Sequence, residues 1–212
     1  MNESIKAVHL AHTDGELSDV SAFGSGATAR AVTFHRSLPV YEPTPLADLK
    51  CLAAGLGLGR IAVKDESKRF GLNAFKGLGT SYSVARYLAQ YLDLPESEMT
   101  YETLQKPEYR ERLRGVTLVT ATDGNHGRGI AWAAKLFGLF AHVFMPKGSS
   151  PERLANIRGL GAEAAFTNYN YDDAVRYAAQ MAKEKGWVLI QDTAFEGYTE
   201  IPLRIMQGYT TL

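Results

Sequence analysis

One cysteine, Cys51, stands in 212 residues. A single thiol closes no internal disulfide and builds no thiolate metal cluster. Charge of one sign is not in surplus either: 23 Lys+Arg against 23 Asp+Glu leave a formal net charge of zero. The basic excess of a nucleic-acid-binding protein is therefore missing. No run approaches the ~18 apolar residues of a membrane helix. The opening MNESIKAVHLAHTDGEL has no apolar stretch behind a basic flank, so it does not read as a secretion leader. The Asn2 glycosylation sequon is then set aside. These absences together predict a cytoplasmic protein with no nucleic-acid partner and no membrane partner. What remains, 45% hydrophobic and 22% charged residues, is ordinary globular composition for one large domain or two small ones.

Familiar catalytic signatures are also lacking. There is no G-x-x-x-x-G-K-[ST] phosphate loop and no G-x-S-x-G nucleophile elbow. GLGLG at 55–59 precedes a strand, whereas a dinucleotide fingerprint must follow one and open a helix. The five histidines, His9, His12, His35, His126 and His142, form no H-E-x-x-H metal motif, and HLAH at 9–12 reads as incidental.

The chain does carry a regular pattern from residue 115 onward. GVTLVTAT (115–122), AHVFMPK (141–147), AEAAFTN (162–168) and WVLIQDT (187–193) read as strands. Between them NHGRGIAWAAKLFG, SPERLANIRG and YDDAVRYAAQMAKEKG read as helices with recognisable ends. Ser150 caps the second of these, with Pro151 at its first position. Asp172 and Asp173 open the third, while Lys183 and Lys185 close it, complementing the helix dipole. Strand–helix repeats with short links predict an α/β fold: an open parallel sheet with helices on both faces. Upstream, apolar spacing predicts a helix over 77–92, and RIAVKDES (60–67) reads as a strand turning into a loop. Thr44 and Pro45 predict a helix start running through PLADLKCLAAGLGLG. Residues 95–114 read as an exposed segment of mixed charge. The last helix, near Pro202, has no capping glycine, basic last turn or proline exit. Its terminal carbonyls are expected to lack protein partners, as at a frayed C-terminus, in a truncated chain or in a gene fragment.

Two segments can carry chemistry. In AFKGLG, Lys76 sits between an aromatic ring and a small apolar run. It is either an ordinary surface lysine or an amine meant to lose its proton. A lysine with the usual pKa of ~10.4 cannot attack an aldehyde until burial disfavours its charged form, and Phe75 and Leu78 are expected to supply the apolar surroundings. In TATDGNHGRG (120–129), a turn leads from a strand to a helix. Gly124 and Gly127 allow a flat ligand close to the backbone, Asn125 can donate to a ring oxygen, and Asp123 can accept or deliver a proton. The ordinary alternatives are a helix cap for Asp123 or Asn125 and a local hydrogen bond for His126.

VKDESKRFGLNAFKGLG resembles the lysine motif of fold-type II pyridoxal-phosphate enzymes, and TATDGNHGRGIAWAA resembles their asparagine loop. FHRSLPVYEPTPL, NYDDAVRYAA and QDTAFEGYTEIPLRIMQGYTTL narrow the resemblance to the diaminopropionate ammonia-lyase family along nearly the whole chain. Threonine dehydratases and synthases share the two motifs more loosely and commonly have serine where Asp123 stands. The resemblance implies pyridoxal 5'-phosphate held on Lys76 as an imine, with Phe75, Gly124 and Asn125 as cofactor-binding neighbours. It implies catalytic roles for Lys76, Asp123 and Asp192, and contacts from Asp123 and His126 to a small amino-acid substrate. The reaction would be α,β-elimination of ammonia from 2,3-diaminopropionate, giving pyruvate and a second ammonia. The alternatives are a serine/threonine dehydratase-like lyase or a non-catalytic folded piece.

The resemblance also implies a homodimer and a division into an incomplete large domain (1–76), a small α/β domain (77–197) and a return to the large domain (198–212). Members of this family are longer. Their remaining part carries the glycine-rich phosphate loop and the group facing the pyridine nitrogen, which this chain lacks, so activity is expected to be impaired. Apolar surface is expected to be exposed in residues 1–75.

Overall fold

The computed structural model describes residues 20–212. The Asn2 sequon and the His9/His12 pair lie outside them.

Strand and helix alternate through the second half as the sequence predicts. The elements are β3 (Thr117–Ala121), α6 (Asn125–Phe137), β4 (Phe140–Met145), α7 (Pro151–Arg158), β5 (Glu163–Phe166), α8 (Tyr171–Lys185) and β6 (Val188–Leu189). The four strands pair in parallel in the order β5-β4-β3-β6. The period of two along β3 sorts its side chains between the faces. Leu118 joins Val143, Met145, Ile130, Ala134 and Phe137 on the side of α6 and α7. Val119 and Ala121 meet Ala174 and Ala178 of α8 on the other side. Each full burial of such a Leu, Ile or Phe contributes ~1.5–3 kcal/mol. The caps follow the sequence: Ser150 Oγ accepts from Glu152 N–H at 3.2 Å, and Gly138 ends α6 in the left-handed region at φ 64°. Asn170 caps α8, accepting from Asp173 N–H at 2.9 Å, and Asp172 and Asp173 lie in its first turn as expected.

The first half comprises α1 (Ser25–Ser37), β1 (Leu46–Asp48), α2 (Lys50–Gly55), β2 (Ala62–Lys64) and α3 (Lys76–Tyr91), followed by the short helices α4 (Tyr101–Leu104) and α5 (Pro107–Arg112). The helix expected to start at Pro45 does not form there. Residues 46–48 instead pair antiparallel with 62–64, and α2 begins only at Lys50. The cause is tertiary. The Thr44 hydroxyl donates to Glu66 instead of capping a helix, and the Pro45 carbonyl accepts from Asp65 N–H at 2.9 Å. Residues 95–114 are also more than an exposed strip, because Met99, Leu104 and Leu113 turn into the main core.

α9 (Glu200–Tyr209) packs along α3. A Cβ on Gly208 would stand 2.8 Å from both Gly79 Cα and the Leu78 carbonyl oxygen, so glycine at this crossing is what lets the helices approach so closely. The terminal carbonyls of α9 do find partners, contrary to expectation. Thr210 Oγ1 donates to the Gln207 carbonyl at 2.7 Å and Leu212 N–H to the Tyr209 carbonyl at 3.1 Å. Leu46, Leu49, Leu52, Leu56, Leu58 and Val63 remain exposed, as the sequence led one to expect of this region. Among the described residues no helix is long and apolar enough to cross a membrane.

Candidate active site

From β3 the chain moves outward through β4 to β5, then returns to lay β6 on the opposite side of β3. Ligands of open parallel sheets bind beyond the strand ends at such a reversal. Here the ends of β3 and β6 face a cavity of about 270 Å³ lined by Lys76, Thr122, Asp123, Asn125, His126 and Asp192, with Arg153 and Tyr171 at its rim. Residues 116 positions apart in the chain meet in it: Lys76 Nζ lies 2.8 Å from Asp192 Oδ2.

Each element delivers its side chain for a local reason. Leaving β3, Thr122 accepts from Gly124 N–H on its hydroxyl at 3.1 Å, which turns the chain into α6. No side chain caps α6, so neither Asp123 nor Asn125 takes the capping role. Both stay exposed on the cavity wall. Asp123 is held from outside by Arg153, whose Nη1 donates to its carbonyl at 3.0 Å. Gly127 packs inward rather than against a ligand: a Cβ there would lie 2.4 Å from Thr122 Cγ2. Gly124 lies against Arg153, whose Cδ a Cβ would meet at 3.2 Å.

Lys76 opens α3 and is not wrapped in hydrocarbon as the sequence suggested. Leu78 faces the core, Phe75 is 39% exposed, and the amine is held by a carboxylate instead. Its aromatic neighbours are Phe75 and Tyr209, with ring centroids 5.8 and 5.9 Å from Nζ. Those two rings meet edge-on at 5.0 Å.

Electrostatics define the rest. Burial would push the Asp192 carboxyl up, but the positive charge of His126 in its protonated form and the Lys76 ammonium outweigh it and hold it below the usual carboxylate range. Burial pushes the His126 imidazole down, against the raising pull of Asp192 and the Ile190 carbonyl. His126 Nε2 lies 2.8 Å from the Ile190 carbonyl oxygen. A carbonyl only accepts, so Nε2 carries a proton, and in the neutral ring that burial favours Nδ1 presents a lone pair. That Nδ1 is buried, has no hydrogen-bond partner, and stands 3.5 Å from Asp192 Oδ2. The Tyr209 hydroxyl is buried and unpartnered too, and burial raises its pKa.

The structure thus gathers Lys76, Asp123, Asn125, His126 and Asp192 at one cavity, with Phe75 beside the amine and Gly124 behind the turn. Sequence reading missed Thr122, Arg153, Tyr171 and, behind them, Gln191. A signal existed: Arg153 and Tyr171 lie in the first turns of α7 and α8, and every helix start that follows a parallel strand faces this end of the sheet. An aldehyde cofactor that binds through an amine fits this donor set. The amine opens onto the cavity, Asn125 can donate to the ring, and the orphaned His126 Nδ1 has room for a proton.

Comparison with known proteins agrees. The family model for pyridoxal-phosphate dependent enzymes matches residues 38–212. Diaminopropionate ammonia-lyase of Salmonella typhimurium is 58% identical over 181 residues, 85% of this chain and 45% of that protein. The enzyme of that name from Escherichia coli K12 is 49% identical over 94% of this chain and 48% of its own length. The apo crystal structure of the Escherichia coli enzyme superimposes with a TM-score of 0.83 at 48% identity, covering 89% of this chain and 50% of that one. The chain therefore spans about half the length of the relatives it matches. On the breadth of the family match, the chain belongs to the pyridoxal-phosphate dependent enzymes.

Proposed function

We propose that this chain supplies the amine-bearing half of a carbon–nitrogen lyase site that removes ammonia from 2,3-diaminopropionate, giving pyruvate and a second ammonia. The observation that carries the reading is the Lys76–Asp192 pair, 2.8 Å apart at the mouth of the cavity. Lys76 would hold pyridoxal 5'-phosphate, Asn125 would donate to its ring oxygen, and Phe75 and Gly124 would flank it. When bound, that group supplies the electron sink that makes a substrate Cα proton removable.

The chain's own residues do the rest. The Lys76 amine, once displaced by substrate, takes the Cα proton and can share it with Asp192. An amine leaves poorly unless protonated. Asp123, open on the cavity wall, is placed to deliver a proton to the departing nitrogen, and one such group contributes ~10²–10⁴ in rate. His126 borders the substrate space, with Nε2 committed to the Ile190 carbonyl. The carboxylate at 123 favours diaminopropionate over the hydroxyl-bearing substrates of a dehydratase. On the same reading the chain divides into 1–76, 77–197 and 198–212, works in the cytoplasm, and forms homodimers through surface that includes its exposed apolar residues.

The test adds pyridoxal phosphate, follows the visible absorption of the lysine adduct, then reduces with borohydride and maps peptides by mass. Label is expected on Lys76 and absent in Lys76→Ala. Label elsewhere, indifferent to Lys76→Ala, overturns the assignment. Turnover of diaminopropionate against serine and threonine separates the lyase from a dehydratase.

A further inference from the structure

The sheet is unzipped just before the site. β3 and β6 pair through Val119↔Leu189, and Ile190 N–H donates to the Val119 carbonyl at 2.9 Å. The next rung of a parallel ladder would run from Ala121 N–H to the Ile190 carbonyl. It is not made. Two side chains take its halves: the Ile190 carbonyl accepts from His126 Nε2 at 2.8 Å, and Ala121 N–H donates to Gln191 Oε1 at 3.1 Å.

Gln191 is wholly buried, and both ends of its amide are engaged. Ala121 N–H is a fixed donor, which identifies the amide atom facing it as oxygen. The same Oε1 accepts from Thr120 Oγ1 at 2.9 Å. Nε2 donates to the Tyr171 hydroxyl at 3.1 Å, at the rim of the cavity. The backbone N–H of Gln191 donates to the Tyr198 hydroxyl at 2.8 Å, which in turn donates to the Leu189 carbonyl at 2.8 Å. One residue thus replaces a backbone rung with a longer side-chain rung, and the residue after it is Asp192.

We infer that Gln191 is a positioning residue: its side chain wedges the ends of β3 and β6 apart at a fixed width, which opens the cleft and sets Asp192 against the Lys76 amine. A buried amide bonded at both ends, two partners on its oxygen and one on its nitrogen, has its position fixed by them. Without the wedge, Ala121 N–H loses its partner and the 191–192 segment loses its anchor to β3.

The inference rests on Lys76 and Asp192 being the working pair, but its test needs no cofactor and no turnover. Trace acylation with acetic anhydride, read by peptide mass, gives the reactivity of Lys76 relative to the exposed Lys183. The Asp192 carboxylate occupies the amine at 2.8 Å, so loosening the pair frees the nitrogen and raises Lys76 labelling at fixed pH. Gln191→Met, which keeps length but not polarity, is expected to raise the Lys76/Lys183 ratio at least ~3-fold while circular dichroism stays native. Gln191→Asn, one methylene too short to reach both Ala121 and Tyr171, is expected to do the same, and is the variant to read if Gln191→Met does not fold. Leu104→Ala, a cavity remote from the cleft, lowers stability without moving the ratio. A native ratio in a folded Gln191 variant, or an equal rise in Leu104→Ala, overturns the inference. Failure of Lys76 to take up pyridoxal phosphate would instead strike the proposed function and leave this result standing.

Discussion

His35 shows how a single buried ring ties distant parts of the chain together. It is fully buried, its Nε2 lies 3.0 Å from the Leu78 carbonyl of α3, and its Nδ1 lies 3.1 Å from the Thr211 hydroxyl. Nε2 must donate, and in the neutral ring that burial favours Nδ1 accepts from the Thr211 hydroxyl. Burial, opposed by the Leu78 hydrogen bond and reinforced by Arg69, lowers its pKa from 6.5 to about 4. The unfolded chain therefore binds this proton more readily than the folded one. Stability from His35 is complete above pH 6.5 and is lost as pH falls toward 4. At ~1.4 kcal/mol per unit the loss is about 3 kcal/mol. His126, also pushed down by burial, adds to the slope in the same direction. Thermal unfolding between pH 7 and 4 is expected to show a steep fall in Tm that His35→Gln flattens. An unchanged slope in that variant would remove His35 as its source.

Between elements, the contact that decides most is the crossing of α3 and α9. Both start near the cleft or run toward it: Lys76 is the first residue of α3, and Tyr209 is the last of α9. Gly208→Ala puts a methyl into backbone on the facing helix. It is expected to cost ~1–3 kcal/mol by overpacking, read as a lowered Tm. It should also disturb the Phe75–Tyr209 wall beside Lys76.

The strand–helix repeats from β3 to β6 were legible because hydrophobic period, caps and stops agree within each segment. So were the lysine and Asp123–Asn125 turn, since both lie in unusual local contexts. Residues 44–48 were not legible: Thr44-Pro45 is a sound helix start, and only a partner strand and Glu66, some 20 residues on, make it extended. Gln191 was equally hidden. In sequence it is one more residue of a strand, and its function exists only because β3 stops pairing beside it. Lys76 was found for a partly mistaken reason, since Asp192 rather than hydrocarbon surrounds its amine.

Across the whole molecule, one region stands apart. The segment from β1 to β2 exposes Leu46, Leu49, Leu52, Leu56, Leu58 and Val63 within 18 residues of sequence, more contiguous apolar character than a solvated surface usually carries. Sedimentation velocity is expected to show association that increases with concentration. Leu52→Lys with Leu56→Lys, both on exposed positions, should reduce it without altering circular dichroism. Association unaffected by the pair would place the sticky surface elsewhere. The cleft is different in kind, holding at rest a bond between opposite charges. An amine engaged in that way reacts sluggishly with stray electrophiles such as cyanate or sugar aldehydes. The resting protein is in this sense chemically bolted, and a visitor that outcompetes Asp192 draws the bolt by arriving.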